Sequence, residues 1–184
     1  MHVVSDSRGE WHRPGSVRAI RKFGDPVLQE SCATVTDFDG TLETLIADMF
    51  ATMYSVDGIG LAANQIGVAL RVFVFDAPDS LGGWHRGYMI NPNRTFVAEQ
   101  EPDDSEGCLS IPGVYAEFPR SARVVCEGQD MTGAEIRIEG ESYFARCLLH
   151  ETQHLDGKLF IDMLEGSSKR EALKAIRNSN LTAP

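Results

Sequence analysis

His150-Glu151-Thr152-Gln153-His154 constrains this chain more tightly than any other segment. On a helix, residues four apart share a face, so the two imidazoles stack on one side. Two rings so placed can grip one divalent metal ion. The glutamate between them lies within reach of a water on that ion and can take its proton. Just upstream, Phe144, Ala145, Cys147, Leu148 and Leu149 are apolar, which predicts a buried helix. Buried imidazoles need partners, because desolvated polar groups are costly when left unpaired. Gly157, three residues after His154, is a natural helix stop.

A hydrolytic metal site takes three protein ligands and leaves one position open. The metzincin pattern would need a histidine six residues after His154, where Phe160 stands. A thermolysin-like pattern would need a later glutamate. Glu165 and Glu171 are the candidates, but only thirty residues of the 184 follow His154. Cysteine is the better source. Cys32 lies in a polar stretch and Cys126 in a strand-like run. Cys147 is on the same helix, three residues before His150, where chelation would displace His154. Cys108 differs, because Gly107 and Pro112 in Ser105-Glu-Gly-Cys-Leu-Ser-Ile-Pro112 mark turns. A thiol presented from such a turn can meet a helix elsewhere in the fold.

A third segment, Gly58-Ile-Gly-Leu-Ala-Ala-Asn-Gln65, precedes these two. By itself it reads as a close-packed turn between a helix and a strand, with one polar Gln65 among small residues. Together, residues 58–65, 106–110 and 150–154 stand in the order of the signature segments of the peptide deformylase family. The likeness runs from Ile20 to about Leu164. There are departures. Gln153 replaces an aspartate common in the family, Tyr115 falls about where many members carry an arginine, and the first fifteen residues match nothing in the family core.

The resemblance implies an α+β fold, with antiparallel sheets packed around a central buried HExxH helix. It implies residues 1–15 as a loosely held N-terminal extension. Residues 16–184 would be a single catalytic domain ending in a short C-terminal helix. It also implies a metal-dependent hydrolase that removes the N-formyl group from the N-terminal methionine of newly made polypeptides and releases formate. Cys108, His150 and His154 would be the metal ligands, and Glu151 would carry the proton to the leaving amine. Gln65 and the backbone N–H of Leu109 would donate to the oxyanion. Ile59, Gly60, Leu61 and Gly107 would lie along the substrate main chain. Cys147 would line the methionine pocket, although an ordinary buried thiol is an equal reading. Glu106 would pair with Arg120 and pin the loop carrying Cys108. One thiolate and two imidazoles suit zinc, iron, cobalt or nickel. The family likeness implies Fe(II) in the cell, with Zn(II) or Ni(II) as occupants of purified protein.

Composition agrees. A chain of 184 residues suffices for one domain with a real core. No apolar run is long enough to span a membrane, and residues 1–10 lack the layout of a secretory signal. Four scattered cysteines suggest no disulfide framework, so a reducing cytoplasm is expected. A formal charge of −10 argues against general DNA binding.

The element pattern predicts an extended segment over 17–22, a turn at 23–26, and a helix carrying Leu42, Leu45, Ile46, Met49, Phe50 and Met53. Residues 70–75 read as a buried strand and 78–87 as a surface loop. Residues 88–92, 95–99, 116–118, 122–127 and 135–138 read as extended. Near the end, Arg170, Lys174 and Arg177 share a helical face. That face is either a solvated helix end or a contact for ribosomal RNA.

Two other functions fit parts of the pattern. A general metallopeptidase lacks a convincing third ligand. A non-enzymatic relative with a structural metal would have no use for Glu151 or Gln65.

Overall fold

A computed structural model describes residues 2–3, 13–79, 82–96 and 100–179. Strand β3 (Val72–Pro78) shows how the layers form. Its side chains alternate between faces, and both faces are apolar. Val72 and Val74 enter one core cluster with Leu42, Ile46, Met49 and Met53 of helix α1 (Gly40–Ser55). Phe73 and Phe75 enter another with Phe144, Leu148 and Leu149 of helix α2 (Ser142–Leu155). A strand covered on both sides reads as an unbroken apolar run, as the sequence does here.

β3 belongs to a six-stranded sheet in the order β1-β8-β7-β4-β3-β2. The other members are β1 (His2–Val3), β2 (Gly60–Ala62), β4 (Trp84–Phe96), β7 (Arg123–Gln129) and β8 (Glu135–Glu141). All neighbouring pairs are antiparallel except β1 with β8. A separate hairpin, β5 (Gln100–Cys108) with β6 (Ile111–Ser121), packs across α2 and carries helix α3 (Gly166–Asn178) on its own apolar cluster. The expected α+β arrangement, with antiparallel sheets around the buried HExxH helix, is what the chain forms.

Helix α1 is capped by Asp39, whose carboxylate accepts from the N–H groups of Thr41 and Leu42. Helix α2 ends as expected, with Gly157 at φ 70° just past its last turn.

Several expectations are corrected. The extended segment expected over 17–22 belongs to neither sheet. It lies instead against α1 and the short turn Ala63–Ile66, with Arg18 N–H donating to Thr52 Oγ1 at 2.9 Å and Arg21 N–H to the Gln65 carbonyl at 2.7 Å. The loop over 78–87 is shorter than expected, because β3 and β4 stay paired out to Pro78 opposite Trp84. The segments 88–92 and 95–99 are one strand, β4, with a register shift between Ile90 and Asn93. Positions 97–99 lie outside the described residues. Cys108 is the last residue of β5 rather than part of a loop, and it pairs with Ile111 across the turn Leu109-Ser110.

Of the N-terminal extension, residues 1 and 4–12 lie outside the described residues. Arg13 pairs with Glu43, and Ser16 N–H donates to Asp48 at 2.7 Å, so residues 13–16 lie against α1.

Candidate metal centre and active-site cleft

One turn of α2 separates His150 from His154 and brings their Nε2 atoms to 3.2 Å. Cys108, delivered by the end of β5, places Sγ 3.2 Å from His154 Nε2. The three ligand-type atoms lie within 4.8 Å of one another, and all three residues are buried. The other cysteines, Cys32, Cys126 and Cys147, are buried thiols outside this cluster.

Glu106 holds the cluster from behind. Its Oε1 lies 2.6 Å from His150 Nδ1. A carboxylate can only accept, so Nδ1 carries the proton and Nε2 presents its lone pair to the cluster. Arg120 donates to the same carboxylate twice, from Nε at 3.0 Å and Nη2 at 2.6 Å. Arg146 Nη1 adds a contact at 3.2 Å. Burial alone pushes this carboxyl up, but the hydrogen bonds from His150 and Arg120 outweigh it and hold the group at about 2. The expected Glu106–Arg120 pair is therefore present, with two further partners that the sequence reading missed. An arginine inside the apolar run 144–149 was the available signal, since a buried guanidinium requires an anion.

Gln153 bridges outward, with Oε1 accepting from Arg120 Nη1 at 2.7 Å. Asn64 was also missed. Its Nδ2 donates to the His154 carbonyl at 2.6 Å and ties the segment 58–65 to α2. An amide set among small apolar residues could have flagged it.

Their surroundings push the two imidazoles in opposite directions. Burial lowers His150, yet contacts with Cys108 and Glu106 carry it well above the ordinary imidazole value. Burial and the neighbouring His150 push His154 well below it. A thiolate with two imidazoles is a donor set that fits zinc or iron(II).

Beside the cluster, Glu151 is buried, and its Oε2 has no hydrogen-bond partner among the described residues. Burial pushes this carboxyl up to about 7, with His150 lowering it and Glu106 raising it. Gln65 Oε1 accepts from Ala62 N–H at 2.8 Å. That bond turns its Nε2 toward Ser110 Oγ, at 3.2 Å, and Cys108 Sγ, at 3.7 Å.

A cleft of about 540 Å³ opens over these groups. Ile59, Gly60, Gly107, Leu109 and Cys147 all line it. Leu61 does not. Its side chain is fully buried in the cluster shared with α1, on the other face of β2. The Leu109 carbonyl accepts from Lys22 Nζ at 3.0 Å. Gly60 has no room for a side chain, since a Cβ there would stand 2.4 Å from Glu151 Oε1 and 3.0 Å from Cys147 Sγ. Gly60→Ala is expected to lower kcat/KM by about 100-fold through displacement of Glu151. Turnover kinetics, with a melting curve as control, would check it.

This α+β fold, with a buried thiol-imidazole cluster and a carboxylate at the floor of a cleft, is the architecture of a metal-dependent hydrolase. Comparison with known proteins agrees. Residues 17–170 match the family described as polypeptide deformylase. Peptide deformylase 1 of Corynebacterium glutamicum is 48% identical over 164 residues, covering 89% of this chain and 96% of the relative. The crystal structure of a peptide deformylase from Legionella pneumophila superposes with a TM-score of 0.80 at 37% identity, covering 90% of this chain and 96% of that one. The peptide deformylase from Ehrlichia chaffeensis in complex with actinonin gives 0.81 at 32%, covering 91% and 99%. The chain belongs to the polypeptide deformylase family, metal-dependent hydrolases whose role is deformylation of N-terminal methionine.

Proposed function

We propose that this chain takes the formyl group from N-formylmethionyl polypeptides, with Glu151 as its proton carrier. The observation that carries this is the buried Glu151 Oε2, without a hydrogen-bond partner among the described residues, next to the cluster of Cys108, His150 and His154. Those three residues would hold the metal, which supplies Lewis acidity and lowers the pKa of water toward about 7. Iron(II) in the cell is our reading, with zinc or nickel in protein handled in air. A thiolate donor beside two imidazoles accommodates each of these ions.

Glu151 Oε2 accepts the proton of the attacking water and passes it to the departing amine. Gln65 Nε2 and the Leu109 backbone N–H donate to the oxygen of the formyl group as charge builds on it. The short strand β2 sits at one end of the six-stranded sheet. An extended substrate can pair along this edge beside Ile59, Gly60 and Leu61, and reach Gly107 on the hairpin wall. Cys147 is small enough to leave depth for a methionine side chain.

We place this reaction in the cytoplasm, in one catalytic domain from residue 16 onward, acting on nascent chains. All four cysteines are free thiols, which suits a reducing compartment. No helix among the described residues is long and apolar enough to cross a membrane. Helix α3 buries Ala172 and Ile176 and exposes Arg170, Lys174 and Arg177, a basic face suited to ribosomal RNA. Reversing Arg170 and Lys174 to glutamate is expected to reduce pelleting with ribosomes, most clearly at low salt. Unchanged pelleting would end the ribosome reading.

The central test is formate release from formyl-Met-Ala-Ser by protein purified without oxygen, with metal content measured on the same sample. Formate from the formylated peptide, with internal bonds left intact, is the expected result. No formate from metal-loaded protein would overturn the proposal.

A further inference from the structure

The two donors proposed for the oxyanion come from different sheets. Gln65 follows β2, at one end of the six-stranded sheet, while Leu109 stands at the tip of the β5–β6 hairpin. Among the described residues no strand ladder joins the two segments. Pairing within each sheet therefore leaves their spacing open. Hydrolysis needs that spacing set, because a misplacement of about 1 Å can cost about 100-fold in rate.

Three consecutive residues near the N-terminus span the gap. Arg21 N–H donates to the Gln65 carbonyl at 2.7 Å, and Phe23 N–H donates to the Ser110 carbonyl at 3.0 Å. Between them, Lys22 Nζ donates to the Leu109 carbonyl at 3.0 Å. The outer two bonds use backbone N–H groups, which any residue but proline supplies. The middle bond needs a side chain, so the identity of residue 22 matters.

Lys22 is half-buried and lines the cleft together with Gln65, Cys108 and Glu151. Among the described residues, its ammonium makes this one hydrogen bond and pairs with no carboxylate. A lysine head ordinarily stays in water or beside an anion. Here it is turned onto a neutral carbonyl at the hairpin tip. A hydrogen bond from an ionised donor is roughly twice as strong as a neutral one. The carbonyl and the N–H of Leu109 flank one Cα, so a bond that fixes the first restrains the second. The pairing of Cys108 with Ile111 closes the turn from the other side.

We propose that Lys22 is a positioning residue for formyl hydrolysis. Its ammonium holds the Leu109 carbonyl and thereby keeps the Leu109 N–H in register with Gln65 Nε2 across the seam between the sheets. The proposal rests on the deformylase reading. Lys22 acts through Leu109 and needs no contact with the formyl group.

Both donors serve charge that develops in the transition state, so loosening one should lower kcat and spare KM. With the metal-loaded full chain and formyl-Met-Ala-Ser, Lys22→Met should lower kcat about 10-fold and leave KM within about two-fold. Metal content and melting temperature should match those of the unaltered protein. Lys22→Arg restores a charged donor and should recover most of the lost kcat. Lys22→Ala should behave as Lys22→Met does, and it gives the same reading if the longer apolar side chain disturbs folding. Unchanged kcat, a change confined to KM, loss of metal in step with activity, or no recovery by Lys22→Arg would each overturn the positioning role. No formate from the unaltered, metal-loaded protein would instead overturn the deformylase reading beneath it.

Discussion

Glu151→Gln is expected to cut kcat by about 1,000-fold while the protein retains its metal and its melting temperature. Among the described residues Glu151 Oε2 has no hydrogen-bond partner, so the fold does not depend on that oxygen. It is not one of the three clustered ligand-type residues, so metal content should not depend on it either. Glutamine keeps the shape and the burial but cannot take a proton. The loss should appear in kcat, because the proton is moved in the transition state rather than on binding. Formate release under saturating substrate, with metal analysis of the same sample, separates the outcomes. Turnover within a few-fold of the unaltered protein would remove Glu151 from the chemistry.

Glu106→Ala should damage stability most. The carboxylate, Arg120 and Arg146 are all buried, and His150 leans on the same oxygen as Arg120. Removing the anion leaves two guanidinium groups out of water without their shared partner. Breaking a buried pair in this way costs about 3–5 kcal/mol. By contrast, the pair of Arg123 and Glu139 has side chains 44% and 29% exposed. Pairs with that much solvent access contribute only about 0–1 kcal/mol. His150 also loses the acceptor that fixes its tautomer, and metal affinity should fall about 10- to 100-fold. Urea denaturation and a competitive chelator titration measure the two effects independently. A Glu106→Ala protein as stable as Arg123→Ala would contradict this account of the buried network.

The most legible parts of the sequence were those in which one local pattern determines one outcome. The imidazole spacing fixed a helix face, and the apolar spacing of residues 42–53 fixed a second helix. The apolar run within 70–75 fixed a strand covered on both sides. The hairpin bearing Cys108 was less legible. Its residues 100–108 are polar and acidic with a glycine, a poor strand by propensity. β5 exists because β6 pairs with it and α2 packs across the hairpin, a context that no window of sequence contains.

The ligand set could be narrowed from the chain and the family likeness supplied the Glu106–Arg120 pair, but the rest of the network behind it could not be read. Glu106, Arg120, Arg146 and Gln153 meet only after folding. Leu61 shows what strand alternation adds. It belongs to a segment whose neighbours line the cleft, yet the alternation of β2 turns its side chain toward α1.

The carboxylate of Glu106 is fastened at once to the helix, through His150 and Arg146, and to the hairpin, through Arg120. The two halves of the catalytic pocket therefore share one anchor point. Loosening the hairpin would dismantle the metal seat together with the substrate wall. Such a molecule has no partly melted form that still works, so heat inactivation and global unfolding should follow a single curve.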